Sequence, residues 1–371
     1  MIRLLITARD PAAAWNMAEV AREAMADGRF EVHLHAAGPA FGILSRCGLP
    51  VRQVHATAVV GESGVHPAAV LEEAAALLAH VSPDAVLVGL SQTGGGGIDE
   101  ALLALAENVP RFALQDFWGD VNTFFGRPAD LYFVMDDEAA RLTTALHGVA
   151  AQAVGCPRYA SYAALDVGEL RRGTRQRLGV GQDTPLIGLF SQPLWHVPGY
   201  WRTLETFAAA AATHSALALL RPHPRERDED VAAMRQLLEN AGLRIVPAID
   251  GASEPLLAAC DAICSAFSLS GLDALYLARQ STELPAGVLY MLFDAELQAC
   301  YRATSRLDTV PLVQLGLALA PDEIDALPYA LGTALSRKWR SQVARSIGDL
   351  LPQAAGAARA ILNRISTMAV S

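Results

Sequence analysis

Ala216-Leu217-Ala218-Leu219-Leu220-Arg221-Pro222-His223-Pro224 is the stretch around which the rest of the chain falls into place. Its apolar half has the length and continuity of a strand buried on both faces of a parallel sheet. The run stops abruptly at a guanidinium and an imidazole set between two prolines. In open α/β sheets the carboxyl ends of the strands are where ligands bind. Arg221 offers a planar fork of donors suited to a phosphate, and His223 donates or accepts near neutral pH. Pro222 and Pro224 fix φ in the loop that presents them. The plainer alternative is a proline-terminated strand whose arginine pairs with a neighbouring acid.

The chain has 371 residues, which suits two domains of roughly 100–200 residues. Its formal net charge of −10 argues against nucleic-acid or anionic-membrane partners, which select a basic face. A small anionic ligand in a locally positive pocket stays open. Lys338 is the only lysine, so no lysine elsewhere can act in catalysis. Cys47, Cys156, Cys260, Cys264 and Cys300 are scattered without metal-ligand spacing, as expected of reduced thiols in a cytoplasmic protein. Met1 to Ala8 is too short for a signal peptide and runs into Arg9-Asp10, so it reads as a first strand. No apolar run approaches membrane-spanning length.

Strands and helices alternate along the chain, the pattern of a helix-covered parallel sheet. Expected strands are 2–8, 30–36, 51–55, 85–90, 111–114, 131–135 and 152–154, with helices over 11–26, 67–80, 98–107 and 137–146. Asp10-Pro11 reads as an N-cap with proline at the first helical position. Three loops in this half carry candidate chemistry. Ser91-Gln92-Thr93-Gly94-Gly95-Gly96-Gly97 lets backbone approach a ligand near a helix amino terminus, with Gly95 at its centre, unless it is a simple connector. It fits neither a dinucleotide fingerprint nor a P-loop. Gln115-Asp116-Phe117-Trp118-Gly119-Asp120 mixes aromatic and polar side chains as sugar recognition requires, and Trp118 is the candidate platform. The alternative is a helix cap with the aromatics packed beneath. Asp10 is the third candidate group.

A boundary is expected between Cys156-Pro157 and Asp183-Thr184-Pro185, giving domains at 1–156 and 157–340 and terminal helices over 341–371. Arg171, Arg172, Arg175 and Arg177 read as a solvated helix face. In the second half, strands are expected over 186–190, 216–220, 244–247, 261–264 and 288–293, and helices from about 200, over 228–240, 254–259 and 322–336. The strand 186–190 ends in Ser191-Gln192-Pro193-Leu194-Trp195-His196, with Gln192 a candidate ligand contact and Trp195 and His196 placed to stack on or hydrogen-bond a nucleobase, a core tryptophan being the commoner alternative. The strand at Asp261 ends in Ser265-Ala266-Phe267-Ser268-Leu269-Ser270-Gly271. Ser268 and Ser270 there add hydroxyls to the orphan amides of a helix start, a good cradle for a diphosphate, with a plain Ser N-cap as the alternative.

Arg221-Pro222-His223-Pro224 followed by Ser268 and Ser270 resembles the HP and S motifs of bacterial sialyl- and polysialyltransferases and glycerophosphotransferases. Arg279-Gln280-Ser281-Thr282-Glu283-Leu284-Pro285 is similar to the Arg-x-x-Thr-Glu-Arg-Pro element of non-hydrolysing UDP-GlcNAc 2-epimerases, and Ser270-Gly271-Leu272-Asp273 matches their serine-glycine element in outline. Both groups have the GT-B fold. The chain departs from the epimerases where they carry Gly-Asp-Thr and it has Ser91-Gln92-Thr93. It departs again where they carry His-Val-Glu-Ala-Gly and it has Ala113-Leu114-Gln115-Asp116-Phe117.

The resemblance implies an α/β fold of two Rossmann-like domains facing a cleft, with the terminal helix returning to the first. It also implies a metal-independent, cofactor-free glycosyltransferase taking a nucleotide-sugar donor and an acceptor hydroxyl, in bacterial glycan or natural-product biosynthesis. Arg221, His223, Ser268 and Ser270 would hold the phosphates, and Asp116, or failing it Asp10, would be the base. An epimerase-like enzyme and a non-catalytic nucleotide- or partner-binding protein are the alternatives.

Overall fold

The computed structural model describes residues 1–55, 66–91, 94–247, 249 and 251–370. It divides into two compact units, Met1–Ser161 with Leu351–Ser371, and Tyr162–Leu350.

The first unit carries seven parallel strands in the order β3-β2-β1-β4-β5-β6-β7. They are β1 (Ile2–Ala8), β2 (Phe30–Ala36), β3 (Arg52–Gln53), β4 (Ala85–Gly89), β5 (Arg111–Leu114), β6 (Leu131–Val134) and β7 (Ala151–Ala153). The helices are α1 (Pro11–Ala26), α2 (Gly38–Arg46), α3 (Pro67–Val81), α4 (Ile98–Leu105) and α5 (Asp137–His147). β1 is apolar and buried from Leu4 to Ile6, as expected of a strand whose sheet is covered on both faces by helices. Helix α1 turns Ala13, Ala14, Ala18, Ala21 and Ala24 inward, small side chains that let it lie close to the strands, with Met17 buried among them. A Cβ on Gly89 would stand 2.6 Å from that of Ala13, so glycine is required at the end of β4. Helix α2 has no counterpart in the sequence expectations, and the expected strand 51–55 shrinks to two paired residues.

The second unit carries five parallel strands in the order β12-β11-β10-β8-β9. They are β8 (Leu186–Phe190), β9 (Leu217–Arg221), β10 (Ala262–Ser265), β11 (Gly287–Tyr290) and β12 (Ala318–Leu319). Around them lie α6 (Val167–Arg177), α7 (Pro198–Ala212), α8 (Asp228–Asn240), α9 (Glu254–Ala259), α10 (Ser270–Arg279), α11 (Ala295–Ser305), α12 (Pro311–Gln314), α13 (Leu327–Leu335) and α14 (Arg337–Leu350). The expected strand 244–247 is a single bridge from Ile245 to Ala218. The segment expected to be terminal from 341 divides: α14 lies in the second unit, and α15 (Ala357–Ala369) lies in the first, burying Ile361, Leu362 and Ile365. Arg359 and Arg29 tie α15 down through Glu23 and Asn363. No helix among the described residues is long and apolar enough to cross a membrane.

Of the four arginines expected on a solvated face of α6, Arg172 and Arg177 are exposed, whereas Arg171 and Arg175 turn inward. Arg175 is fully buried and Arg171 nearly so. Both bind Asp261 and the last carbonyls of α9, and Arg340 reaches the same carboxylate at 2.9 Å. Burial alone would raise the Asp261 carboxyl; Arg171, Arg340 and the Leu186 amide outweigh it and hold it below the ordinary range.

Candidate functional site

In the second unit the chain runs from β8 outward to β9, then crosses back to β10 on the other side of β8. That reversal makes a topological switch point, and its crevice opens at the carboxyl ends of β9, β8 and β10. These three adjacent strand ends deliver the Arg221–His223 loop, the Ser191–Gln192 loop and the Ser268–Ser270 loop.

Arg221 is the last residue of β9 and is half-buried; one guanidinium nitrogen donates to the Gly251 carbonyl at 2.7 Å. His223 Nδ1 accepts from the Arg225 amide at 3.1 Å. A nitrogen that accepts carries no proton, so the neutral ring has its N–H at Nε2. Burial first, and then the charge of Arg225, lowers the His223 pKa, which favours that neutral donor form.

Glu226, which the sequence reading passed over, holds the loop in place. Its Oε2 accepts from the His223 amide at 2.6 Å and from the Ser191 hydroxyl, and its Oε1 accepts the Trp195 indole N–H at 3.2 Å. Trp195 is thereby committed to Glu226 and packs edge-on against Tyr200, rather than standing open for a base. Two of these partners, Ser191 and Trp195, lie 35 and 31 residues upstream, so the role of the carboxylate in joining the two loops is not recognisable from sequence.

Gln192 braces the opposite side. Its Oε1 accepts the Phe267 amide at 2.8 Å, and its own amide donates to the Tyr200 hydroxyl at 2.9 Å. Ser268 Oγ lies 3.0 Å from Ser270 Oγ and accepts the Ser270 amide at 3.2 Å. The two hydroxyls are thus held together at the first turn of α10, which has no side-chain N-cap bond. Gly271 follows because a Cβ there would come within 2.6 Å of the Tyr290 hydroxyl. The arrangement gathers a guanidinium, a neutral imidazole donor, two hydroxyls and the positive end of a helix dipole at neighbouring strand ends, a donor set suited to phosphate oxygens.

The first unit has its own switch point, between β1 and β4. Asp10 follows β1 at the N-cap position of α1, yet its side chain makes no capping bond, contrary to the simple N-cap reading. Asp116 follows β5. Burial raises its pKa to about 6; Arg158 opposes the shift and Asp10 adds to it. The two candidate acids therefore lie within each other's field, with Arg158 as a third member that sequence reasoning did not single out. Arg158 follows Cys156-Pro157, its guanidinium 4.6 Å from the Tyr159 ring centroid, and its amide donates to Asn16 at 3.1 Å.

Two expectations for this unit give way. Trp118 is 1% exposed and donates its indole N–H to both oxygens of Asp136, at 3.1 and 2.9 Å. It is a core residue with no face for a sugar. Gly95 is also buried, and its carbonyl accepts from Asn122 at 2.8 Å and Arg9 at 3.3 Å. Gly96 and Gly97 are small for packing, since a Cβ would meet Phe124 at 2.3 Å and Arg9 Cδ at 2.7 Å respectively. Gln92 and Thr93 lie outside the described residues. Beneath this loop sits a buried group of Arg9, Asp99 and Glu100, with Thr7 donating to Asp99 at 2.5 Å and Arg9 3.4 Å from Glu100. Burial, reinforced by Glu100, pushes the Asp99 carboxyl well above the ordinary carboxylate range.

No family model matches the chain, and no curated protein matches it in sequence. Among solved structures it is similar to S. aureus MnaA in complex with UDP, at 12% identity over 99% of this chain and 96% of that one, with a TM-score of 0.71. It is similar to the UDP-GlcNAc 2-epimerase of Neisseria meningitidis bound to UDP-GlcNAc, at 12% identity, 99% and 100% coverage and a TM-score of 0.66. It is also similar to MurG of Acinetobacter baumannii, at 14% identity, 99% and 100% coverage and a TM-score of 0.62. Identities this low speak to architecture, and do not single out the sialyltransferase-type subgroup. Two parallel sheets with interleaved helices, matched along nearly the whole length of these enzymes, give the chain an α/β fold of GT-B type.

Proposed function

We propose that the protein is a metal-independent glycosyltransferase that takes a nucleotide-activated sugar and passes the sugar to an acceptor hydroxyl. The observation that carries this reading is the placement of Arg221, His223, Ser268 and Ser270 at the ends of β9 and β10, the strands that flank β8 at the switch point of the second unit. Donors fixed before the reaction stabilise negative charge as it develops on a departing phosphate, without having to reorganise. Two neighbours of the same fold hold UDP and UDP-GlcNAc, which supports a nucleotide-sugar as the ligand.

For the base we assign Asp116, with Asp10 second. A carboxylate whose pKa is raised toward neutrality is a stronger base than an ordinary one and is still largely ionised at pH 7. Asp116 would remove the acceptor proton as the acceptor oxygen attacks the anomeric carbon and the nucleotide leaves. The second reading, an epimerase-like reaction, is favoured by the mutual field of Asp10 and Asp116, since taking and returning a proton needs two such groups.

The test is incubation with a panel of nucleotide-sugars in heavy water, with and without acceptors, followed by mass spectrometry. Glycosylated acceptor with no deuterium in the sugar is expected. Deuterium incorporated beside the anomeric carbon in the absence of acceptor would establish the epimerase-like reaction instead. Intact donor under every condition would leave a binding protein.

A further inference from the structure

A second concavity in the Tyr162–Leu350 unit lies away from the strand ends described above. It is an open pocket of about 580 Å³, and its lining includes His214, Tyr329, Thr333, Lys338, Trp339 and Gln342. His214 stands three residues ahead of β9, so the pocket belongs to the amino-terminal side of that strand, whereas Arg221 marks its carboxyl end. The volume falls within the range of small-molecule sites, on the order of 300–1,000 Å³.

We propose that this pocket binds an acidic saccharide, a pyranose ring carrying a carboxylate. Tyr329 is 82% exposed, an aromatic face left in water that the packing of α13 does not require. Aromatic faces receive the C–H face of a sugar, and the surrounding polar groups receive its hydroxyls. The neighbouring backbone is rigid. Thr333 Oγ1 donates to the Tyr329 carbonyl at 2.9 Å, Ser336 Oγ donates to the Thr333 carbonyl at 2.8 Å, and Ser336 Oγ accepts the Trp339 amide at 3.2 Å. His214 is held to the Pro328 carbonyl at 3.2 Å, and Gly332 keeps the wall low, since a Cβ there would approach the imidazole to 3.1 Å.

The preference for an acid follows from two features. Lys338, the chain's single lysine, lies on the lining and is exposed. It stands in the first turn of α14, where the helix dipole is positive. One ammonium and one helix start suit a single carboxylate; a diphosphate calls for more positive charge.

The test is a ligand-observed NMR titration of the full chain with methyl β-glucuronide and methyl β-glucoside. The glucuronide is expected to bind more tightly than the glucoside. Tyr329→Ala is expected to weaken it roughly tenfold while Tyr329→Phe retains it, because the ring face is the contact. Lys338→Gln is expected to bring the glucuronide down to the affinity of the glucoside, about fivefold, the scale of one exposed ion pair. Saturating UDP should not displace it. Absence of glucuronide binding, equal affinity for the two sugars, or binding indifferent to both Tyr329→Ala and Lys338→Gln overturns the proposal. Both side chains are exposed, and an unchanged melting temperature shows that each variant is folded. The outcome is independent of the transferase reading.

Discussion

His223 and Glu226 are joined twice: the His223 amide donates to the Glu226 carboxylate at 2.6 Å, and the Glu226 amide donates to the His223 carbonyl at 2.9 Å. The imidazole is therefore placed by a residue that is itself anchored to Ser191 and Trp195 of the neighbouring strand-end loop. Glu226→Ala removes the acceptor for three donors at once. We expect UDP affinity to fall about tenfold and stability to drop by roughly 1.5–3 kcal/mol, the range for hydrogen bonds to a charged group. Calorimetric titration and denaturant unfolding measure the two, and unchanged values for both would show that the carboxylate is idle.

Arg221→Ala should weaken UDP binding by about 1.5–3 kcal/mol while the fold stays intact, since among the described residues the side chain makes one hydrogen bond, to the Gly251 carbonyl. An affinity equal to that of the parent chain would remove Arg221 from the phosphate site.

Asp116 gives a pH prediction with a definite sign. As a base it works only when ionised, so the rate of transfer should rise with pH through about 6 and then level off. Asp116→Asn should abolish that rise and lower the rate roughly 10²–10⁴-fold, while UDP binding is kept. If Asp116→Asn keeps full activity, Asp10→Asn becomes the variant to measure.

The same shifted carboxyls act on stability in the opposite sense. The carboxyls of Asp116 and Asp136 are both raised to about 6 by burial, above the ordinary value of 3.8. Between these pH values the folded chain binds more protons than the unfolded one, so stability should fall as pH rises from about 4 to about 6. Asp136→Asn keeps a side-chain oxygen for the Ala139 amide and should flatten part of that slope. Urea midpoints measured across the interval check it.

In the other unit, Asp261 is the counter-charge for Arg171, Arg175 and Arg340. Asp261→Ala leaves the fully buried Arg175 without its carboxylate, and the expected loss is about 3–5 kcal/mol. Chemical denaturation measures it; a loss below 1 kcal/mol would mean that the carbonyls of α9 suffice.

The strand-end loops were legible because parallel strands announce themselves as apolar runs, and the residues after each run are named by position alone. Arg221, His223, Ser268 and Ser270 could be chosen in that way. Trp118 could not be judged, because an aromatic after a strand reads the same whether its ring meets a ligand or, as here, Asp136 eighteen residues on. The glycine run misled for a similar reason: Phe124 and Arg9, which require Gly96 and Gly97 to be small, come from other parts of the chain. Arg171 and Arg175 looked solvated like Arg172 and Arg177 because their partner, Asp261, lies 86–90 residues downstream. Glu226 and Arg158 were not singled out because the partners that give them a role, Ser191 and Trp195 for the one and Asp116 for the other, are distant in sequence.

The loop after β8 is linked to both of its neighbours, to the β9 loop through Ser191 and Glu226 and to the β10 loop through Gln192 and Phe267. Three segments so cross-linked keep their arrangement before any ligand arrives, so a ligand entering the crevice spends little entropy on ordering them. Association should consequently be governed by encounter and desolvation rather than by a folding step, and a single substitution at Gln192 would loosen two loops together.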